Sequence, residues 1–216
     1  MLILENISKT FGSIKALEKV NLSLDTGEMV FLVGPSGAGK TTLFKIIAKE
    51  IMPDEGKIIF EGKDATKIKA KDIPFYRKKI GVVFQDFKLL AEKTVGENLE
   101  LVMAALAVPR SEWKKRAKEV LIRAGLSGKK NAFPAQLSGG EVQRVAIARA
   151  MVGNPSLILA DEPTGNLDWE TGWQMIEMLE TARKHGTTVL VASHNKDIIK
   201  RTKHRVVELS QGKIQK

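Results

Sequence analysis

The chain contains no cysteine. That absence excludes a disulfide framework, a thiolate metal site and a cysteine nucleophile together, and it fits a reducing cytoplasm. Aromatic residues are scarce, at 6% with a single tyrosine, and they are not interleaved with the basic ones. No base-stacking platform for nucleic acid is therefore expected. Long apolar runs are missing too: no stretch approaches the ~18 apolar residues that suggest a membrane span. The opening MLILENISKTFGSIKALEKV carries Glu5 and several lysines where a signal peptide needs an unbroken apolar segment. A soluble chain that does not cross a bilayer alone is the expectation.

With 216 residues, 43% of them hydrophobic and 28% charged, the chain can bury a real core but has room for little beyond one domain, residues 1–216. Its net charge of +10 sits in two places. Residues 57–79 hold eight Lys/Arg against three acids, and residues 196–216 hold seven against two. Such patches form solvated basic faces or meet an anionic lipid surface.

Short apolar runs at 29–33, 157–160 and 187–192 end in polar residues and read as buried strands. Helical patterns occupy 40–50, 95–107, 111–124, 141–152 and 170–185. Strands alternating with helices predict an α/β fold with a mostly parallel sheet. The first 25 residues and 57–61 instead alternate apolar with polar, as a half-exposed antiparallel sheet does. The expected layout is an N-terminal antiparallel β-subdomain, an α/β core, and an inserted α-helical subdomain after Gln85, at about residues 86–150.

Gly34-Pro35-Ser36-Gly37-Ala38-Gly39-Lys40-Thr41 satisfies G-x-x-x-x-G-K-[ST], with a strand (MVFLV) before it and a helix running on through Thr42. That context marks a phosphate loop. Its glycines let backbone N–H groups surround phosphates while the helix start adds partial positive charge. Lys40 would reach the β/γ oxygens and Thr41 would ligate Mg²⁺.

The run LILADE carries a strand out into Asp161 and Glu162, which should point to opposite sides and divide labour. Asp161 can hold Mg²⁺ through water, and Glu162 can accept a proton from an attacking water. His194 follows another buried strand at its carboxyl end, where open α/β sheets bind ligands. A satisfied structural histidine is an equal reading there. Gln85, taken alone, reads as a surface residue. Ser138-Gly139-Gly140-Glu141 fits a capping box, yet nothing in a capping box asks for two glycines, which suggest the close approach of a phosphate.

The order of these motifs, with LSGGE between the glutamine and the Asp-Glu strand, resembles an ATP-binding-cassette (ABC) nucleotide-binding domain, a P-loop NTPase with a RecA-like core, over nearly the whole chain. The resemblance implies an ATPase using ATP and Mg²⁺. It implies that Phe11, where relatives often have tyrosine, stacks on adenine, and that Gln85 sits near Mg²⁺ and the lytic water. Asn166-Leu167-Asp168 resembles the D-loop, and His194 the switch histidine at the γ-phosphate, although Asn195 replaces the usual aspartate after it. Two cassettes would pack head to tail as a homodimer, with Ser138, Gly139, Gly140 and Glu141 of one closing over the phosphate held by the other. Phe87, Leu89, Leu90, Leu101, Val102 and Met103 resemble the surface that grips a membrane subunit, or else belong to the core.

Within the family, GPSGAGKTT, GVVFQDFKLL and LADEPTGNLD look like the cassettes of bacterial cell division. That likeness implies a membrane partner which moves no substrate, control of cell-wall hydrolases, and a place on the inner face of the membrane at the division site. Exporter ATPases of the lipoprotein-releasing or macrolide type share ADEPTGNLD, but tend to have serine where Asp86 stands. Soluble repair or translation ATPases need a coiled-coil insertion or a second cassette, and this sequence has neither.

Overall fold

The computed structural model describes residues 1–84, 86–165 and 168–215. In it β1 (Leu2–Phe11) pairs antiparallel with β2 (Ile14–Leu24) and with β4 (Glu55–Phe60), and β5 (Lys63–Asp64) extends the edge. Leu2, Leu4, Leu22, Leu24, Ile58 and Phe60 are buried on one face. Their neighbours Ile3, Glu5 and Ser23 are exposed on the other, the two-residue period of a half-buried sheet.

The second sheet runs β10-β9-β3-β8-β7-β6. Strands β3 (Met29–Val33), β8 (Thr188–Ala192), β7 (Leu157–Asp161) and β6 (Ile80–Val83) are parallel, with β9 (Arg205–Ser210) parallel on the far side of β3. The short β10 (Lys213–Ile214) turns back antiparallel on β9. Every residue of β7 and β8 is buried, so both faces of these strands are covered, which is why they read as unbroken apolar runs.

The two faces go to different partners. Val30, Leu32, Leu157, Leu159 and Leu190 pack toward the antiparallel sheet and helix α1 (Lys40–Ile47), through Leu43, Ile46 and Ile47. Met29, Phe31, Ile158, Ala160, Val189 and Val191 pack toward α3 (Val95–Ala105), α4 (Arg110–Arg123), α5 (Gly139–Met151) and α6 (Trp169–Lys184). The helices α3 to α5 lie between β6 and β7 in the chain, as the sequence predicts. Met103 belongs to this core, Leu89 and Val102 pack against it, and Leu90 and Leu101 are exposed. Two short helices, α2 (Ile73–Arg77) and α7 (Lys196–Arg201), and the strands β5, β9 and β10 have no counterpart in the sequence expectation. Among the described residues, no helix is long and apolar enough to cross a membrane.

Candidate functional site

The loop between β3 and α1 turns on glycines at positive φ: Gly34 (150°), Gly37 (78°) and Gly39 (107°). Two of them are fixed by packing as well. A Cβ on Gly34 would stand 2.0 Å from the Leu209 carbonyl oxygen, and one on Gly39 would stand 2.5 Å from that of Ala16. Gly39 caps α1 in the left-handed region, with no side-chain cap and no acid in the first turn, so the helix presents bare N–H groups and positive dipole to this loop. Lys40, almost fully buried, donates from Nζ to the carbonyls of Gly34 (2.7 Å) and Pro35 (3.0 Å).

Because β7 and β8 pair in parallel with Asp161 opposite Ala192, the residues that follow them emerge side by side. Asp161 turns to α1, where its Oδ2 accepts the Thr41 hydroxyl at 2.8 Å. Burial is the largest influence on this carboxyl and holds its pKa above the usual range, aided by the neighbouring Glu162 charge. The Thr41 hydrogen bond and Lys40 and Lys45 act against that rise. Glu162 turns the other way: its Oε2 accepts from His194 Nδ1 at 2.9 Å, and its Oε1 lies 4.0 Å from Lys40 Nζ. The two acids thus make separate contacts, one with α1 and the other with His194.

Residues 35–42, Asp161, Glu162 and His194 line one cleft of about 590 Å³, completed by Ile14, Lys15 and Ala16. A larger cavity of about 770 Å³ sits among Thr26, Ser156 and Thr187, near the amino ends of the same strands. Chemistry rather than size selects the first, which lies at the carboxyl ends, where such sheets bind ligands. A hydroxyl and a carboxylate in contact are the hard oxygen donors that Mg²⁺ takes, and this ion completes its shell with water and phosphate oxygens rather than an all-protein cage. Among the described residues no group of three or more His, Cys, Asp or Glu side chains is placed to hold a metal ion. The donor set fits that ion.

Other predicted residues lie elsewhere. Phe11 is half-exposed with Lys9 Nζ 5.5 Å above its ring, and it is not among the residues lining the cleft. Gln85, Asn166 and Leu167 lie outside the described residues. Asp168 caps α6, accepting from the Thr171 N–H at 2.9 Å. Ser138 and Glu141 form a full capping box: Glu141 N–H donates to Ser138 Oγ, and Ser138 N–H to Glu141 Oε2 at 2.9 Å. Glu141 also reaches Lys129 at 3.0 Å. These bonds, the Ser138 backbone first, hold its carboxyl below the usual range. The two glycines prove unlike. A Cβ on Gly140 would meet Thr171 Cγ2 at 2.6 Å, a reason internal to the fold, whereas one on Gly139 would meet nothing within 4 Å.

Two residues of α5 escaped the sequence reading. Gln143 is completely buried and donates to the Pro163 carbonyl, while Arg149 donates to the carbonyls of Phe87 and Lys88. Burial lowers the Arg149 pKa. The signal for Gln143 was available: it stands four residues before Ile147 and eight before Met151, a polar residue on the apolar face.

The ABC transporter family matches this chain over residues 17–165. The chain is 47% identical over 213 residues to the cell division ATP-binding protein FtsE of Bacillus subtilis (strain 168), covering 98% of this chain and 93% of the relative. Its identity to FtsE of Escherichia coli (strain K12) is 42% over 213 residues, covering 98% and 96%. Among solved structures it resembles the dimeric post-hydrolysis state of the ATP-binding cassette MJ0796 bound to ADP and Pi. The TM-score is 0.89 at 38% identity, covering 100% of this chain and 97% of the other. A nucleotide-free cassette from an ABC transporter matches with TM-score 0.87 at 28% identity, covering 100% and 90%.

Proposed function

The chain belongs to the ABC transporter family and is an ATP-hydrolysing enzyme of that family, and from that premise we propose that it powers a membrane complex of bacterial cell division. The observation that carries the catalytic reading is the Glu162 carboxylate, 2.9 Å from His194 Nδ1 and 4.0 Å from Lys40 Nζ at the mouth of the phosphate loop. Backbone N–H groups of residues 34–42 and the Lys40 ammonium bind the phosphates of ATP. Thr41 and Asp161, with Gln85, hold Mg²⁺, which when bound supplies Lewis-acid neutralisation of phosphate charge. Glu162 takes the proton of the attacking water, and His194 steadies the γ-phosphate. Phe11 serves the adenine.

The working unit is a homodimer with two ATPs between the cassettes. The dimeric cassette among the structural relatives supports this reading, and so does the open space over Gly139, through which a partner's phosphate can approach Ser138, Gly140 and Glu141. The FtsE relatives, named cell division ATP-binding proteins, support a role in division; in that role the cassette works beside an integral membrane subunit of the FtsX kind, through which closure of the dimer governs peptidoglycan hydrolases outside. The cassette then works on the cytoplasmic face of the membrane at the division site. Its basic faces suit anionic lipid better than nucleic acid, for which the sequence offers no base-stacking platform.

Tagged Glu162→Gln protein with ATP and Mg²⁺, incubated with detergent-solubilised native membranes, tests this reading. It should capture a membrane protein linked to cell-wall hydrolases. Capture of an exporter subunit instead would move the same chemistry to transport.

A further inference from the structure

Gln143 takes no part in the roles above, yet its placement is costly. It lies among Val145, Ala146 and Ile147 in the core with no exposed surface, and its Oε1 has no hydrogen-bond partner among the described residues. A buried amide is retained against that penalty where its remaining bond matters. That bond runs from Nε2 to the carbonyl of Pro163, the residue after Glu162.

Glu162 needs such support. Its φ of 50° lies in the left-handed region, which a residue with a Cβ holds only where the surroundings over-determine it. The Glu162 N–H donates to the Ala192 carbonyl at 3.0 Å, tying the backbone to β8. The Glu162 carbonyl accepts from Gly165 N–H at 3.0 Å, closing the turn. The Pro163 carbonyl, in turn, is fastened by Gln143, from a helix outside this strand-and-turn unit. The helix that supplies Gln143 also begins at the Ser138–Glu141 box, little more than one turn away.

We propose that Gln143 is a positioning residue for Glu162: it clamps the Glu162–Pro163 turn so that the carboxylate stays at His194 and Lys40, and it ties that geometry to the start of α5. The second half rests on the homodimer reading, in which the start of α5 receives the partner's phosphate.

Gln143→Met keeps the length and the burial while removing the donor and the orphaned oxygen. The expected result is a kcat about tenfold lower, the scale of a small misplacement of a reacting group. KM for ATP stays within about twofold, because the phosphate loop is untouched. Amide exchange of Glu162 and Gly165 in nucleotide-free protein should accelerate, while Leu159 and Val191 keep their protection. Ser138→Ala should speed exchange at Glu162 in the parent and add nothing in Gln143→Met, the non-additivity of a shared path. An unchanged kcat, or exchange that rises equally throughout β7 and β8, overturns the clamp; additive effects overturn its link to α5. Should the methionine variant fail to fold, Gln143→Leu, which also removes the donor and keeps the site apolar, gives the same readouts. Failure of Glu162→Gln to form an ATP-bound dimer would sink the proposed assembly and leave the exchange test intact.

Discussion

Two helices of this protein begin with glycine-rich turns, and they begin differently. Helix α1 starts at a left-handed Gly39 with no side-chain cap and no acid in its first turn. Helix α5 starts at a complete Ser138–Glu141 capping box, with an acid that Lys129 also holds. The first leaves its N–H groups to an anion and sets a buried lysine beside them. The second already satisfies two of its own N–H groups and sits outside the cleft. A glycine-rich helix start is therefore no single device: one leaves its N–H groups open toward a cleft, and the other closes two of its own.

The largest effect that would sharpen this contrast is at α1. Lys40→Ala removes the cation of the open start, and turnover measured by phosphate release should fall by about 10²–10³-fold, the scale for losing one stabiliser of transition-state charge. A variant retaining half its rate would show that the bare helix start suffices alone.

Next in size is a pair of identical changes at α5. Gly140→Ala drives a methyl group into Thr171, at 2.6 Å, and should lower stability by about 1–3 kcal/mol in a thermal melt. Gly139→Ala meets nothing and should leave the melt unchanged or raised, because alanine is the better helix former. On the dimer reading it should still weaken the ATP-bound dimer of Glu162→Gln in size-exclusion runs. If both changes acted alike on the melt, the division of labour between these glycines would fail.

The sequence made the phosphate loop, the central strands and the acids legible because each is a local pattern: an apolar run of fixed length ending in one polar step. The strand Met29–Val33 falls where the pattern puts it, and Leu157–Asp161 extends one residue further. What was not legible depends on partners distant in the chain. Strand β9 is half-exposed and reads as strand only beside β3, and β10 only beside β9. The Gln143–Pro163 bond joins residues twenty positions apart. The second glycine of LSGGE has a packing neighbour, Thr171, that no local pattern announces. A sequence shows that a glycine is required, not which neighbour requires it.

A smaller effect tests the closed start directly. Ser138→Ala removes the hydroxyl that accepts from Glu141 N–H and should cost about 1 kcal/mol. In a domain of this size that is about 2–4 °C of melting temperature. An equal loss in the melt of isolated protein and no loss of turnover would leave α5 a structural cap only.

The smallest effect is in the pH dependence, and there the two starts should differ in sign. Glu141 has its pKa held below the usual 4.5 by the Ser138 backbone and Lys129. Its contribution is therefore present above the unfolded value and is lost as pH falls through the folded one. Asp161 is the reverse: burial raises its pKa above 3.8, so folding disfavours its charged form, and the protein bears that cost at pH values above the raised pKa. Melting curves of Asp161→Asn and Glu141→Gln against the parent should separate the two. In protein without Mg²⁺ or nucleotide, Asp161→Asn should be the more stable chain at neutral pH, with an advantage that shrinks as the solution is acidified. Glu141→Gln should be the less stable chain at neutral pH, with a deficit that closes on acidification. Adding Mg²⁺ and ATP should reverse only the first difference, since a carboxylate kept charged against burial benefits from a cation. Parallel pH curves for the two variants would mean that the acid beside α1 is held like the acid on α5, and the contrast between the two helix starts would lose its electrostatic half.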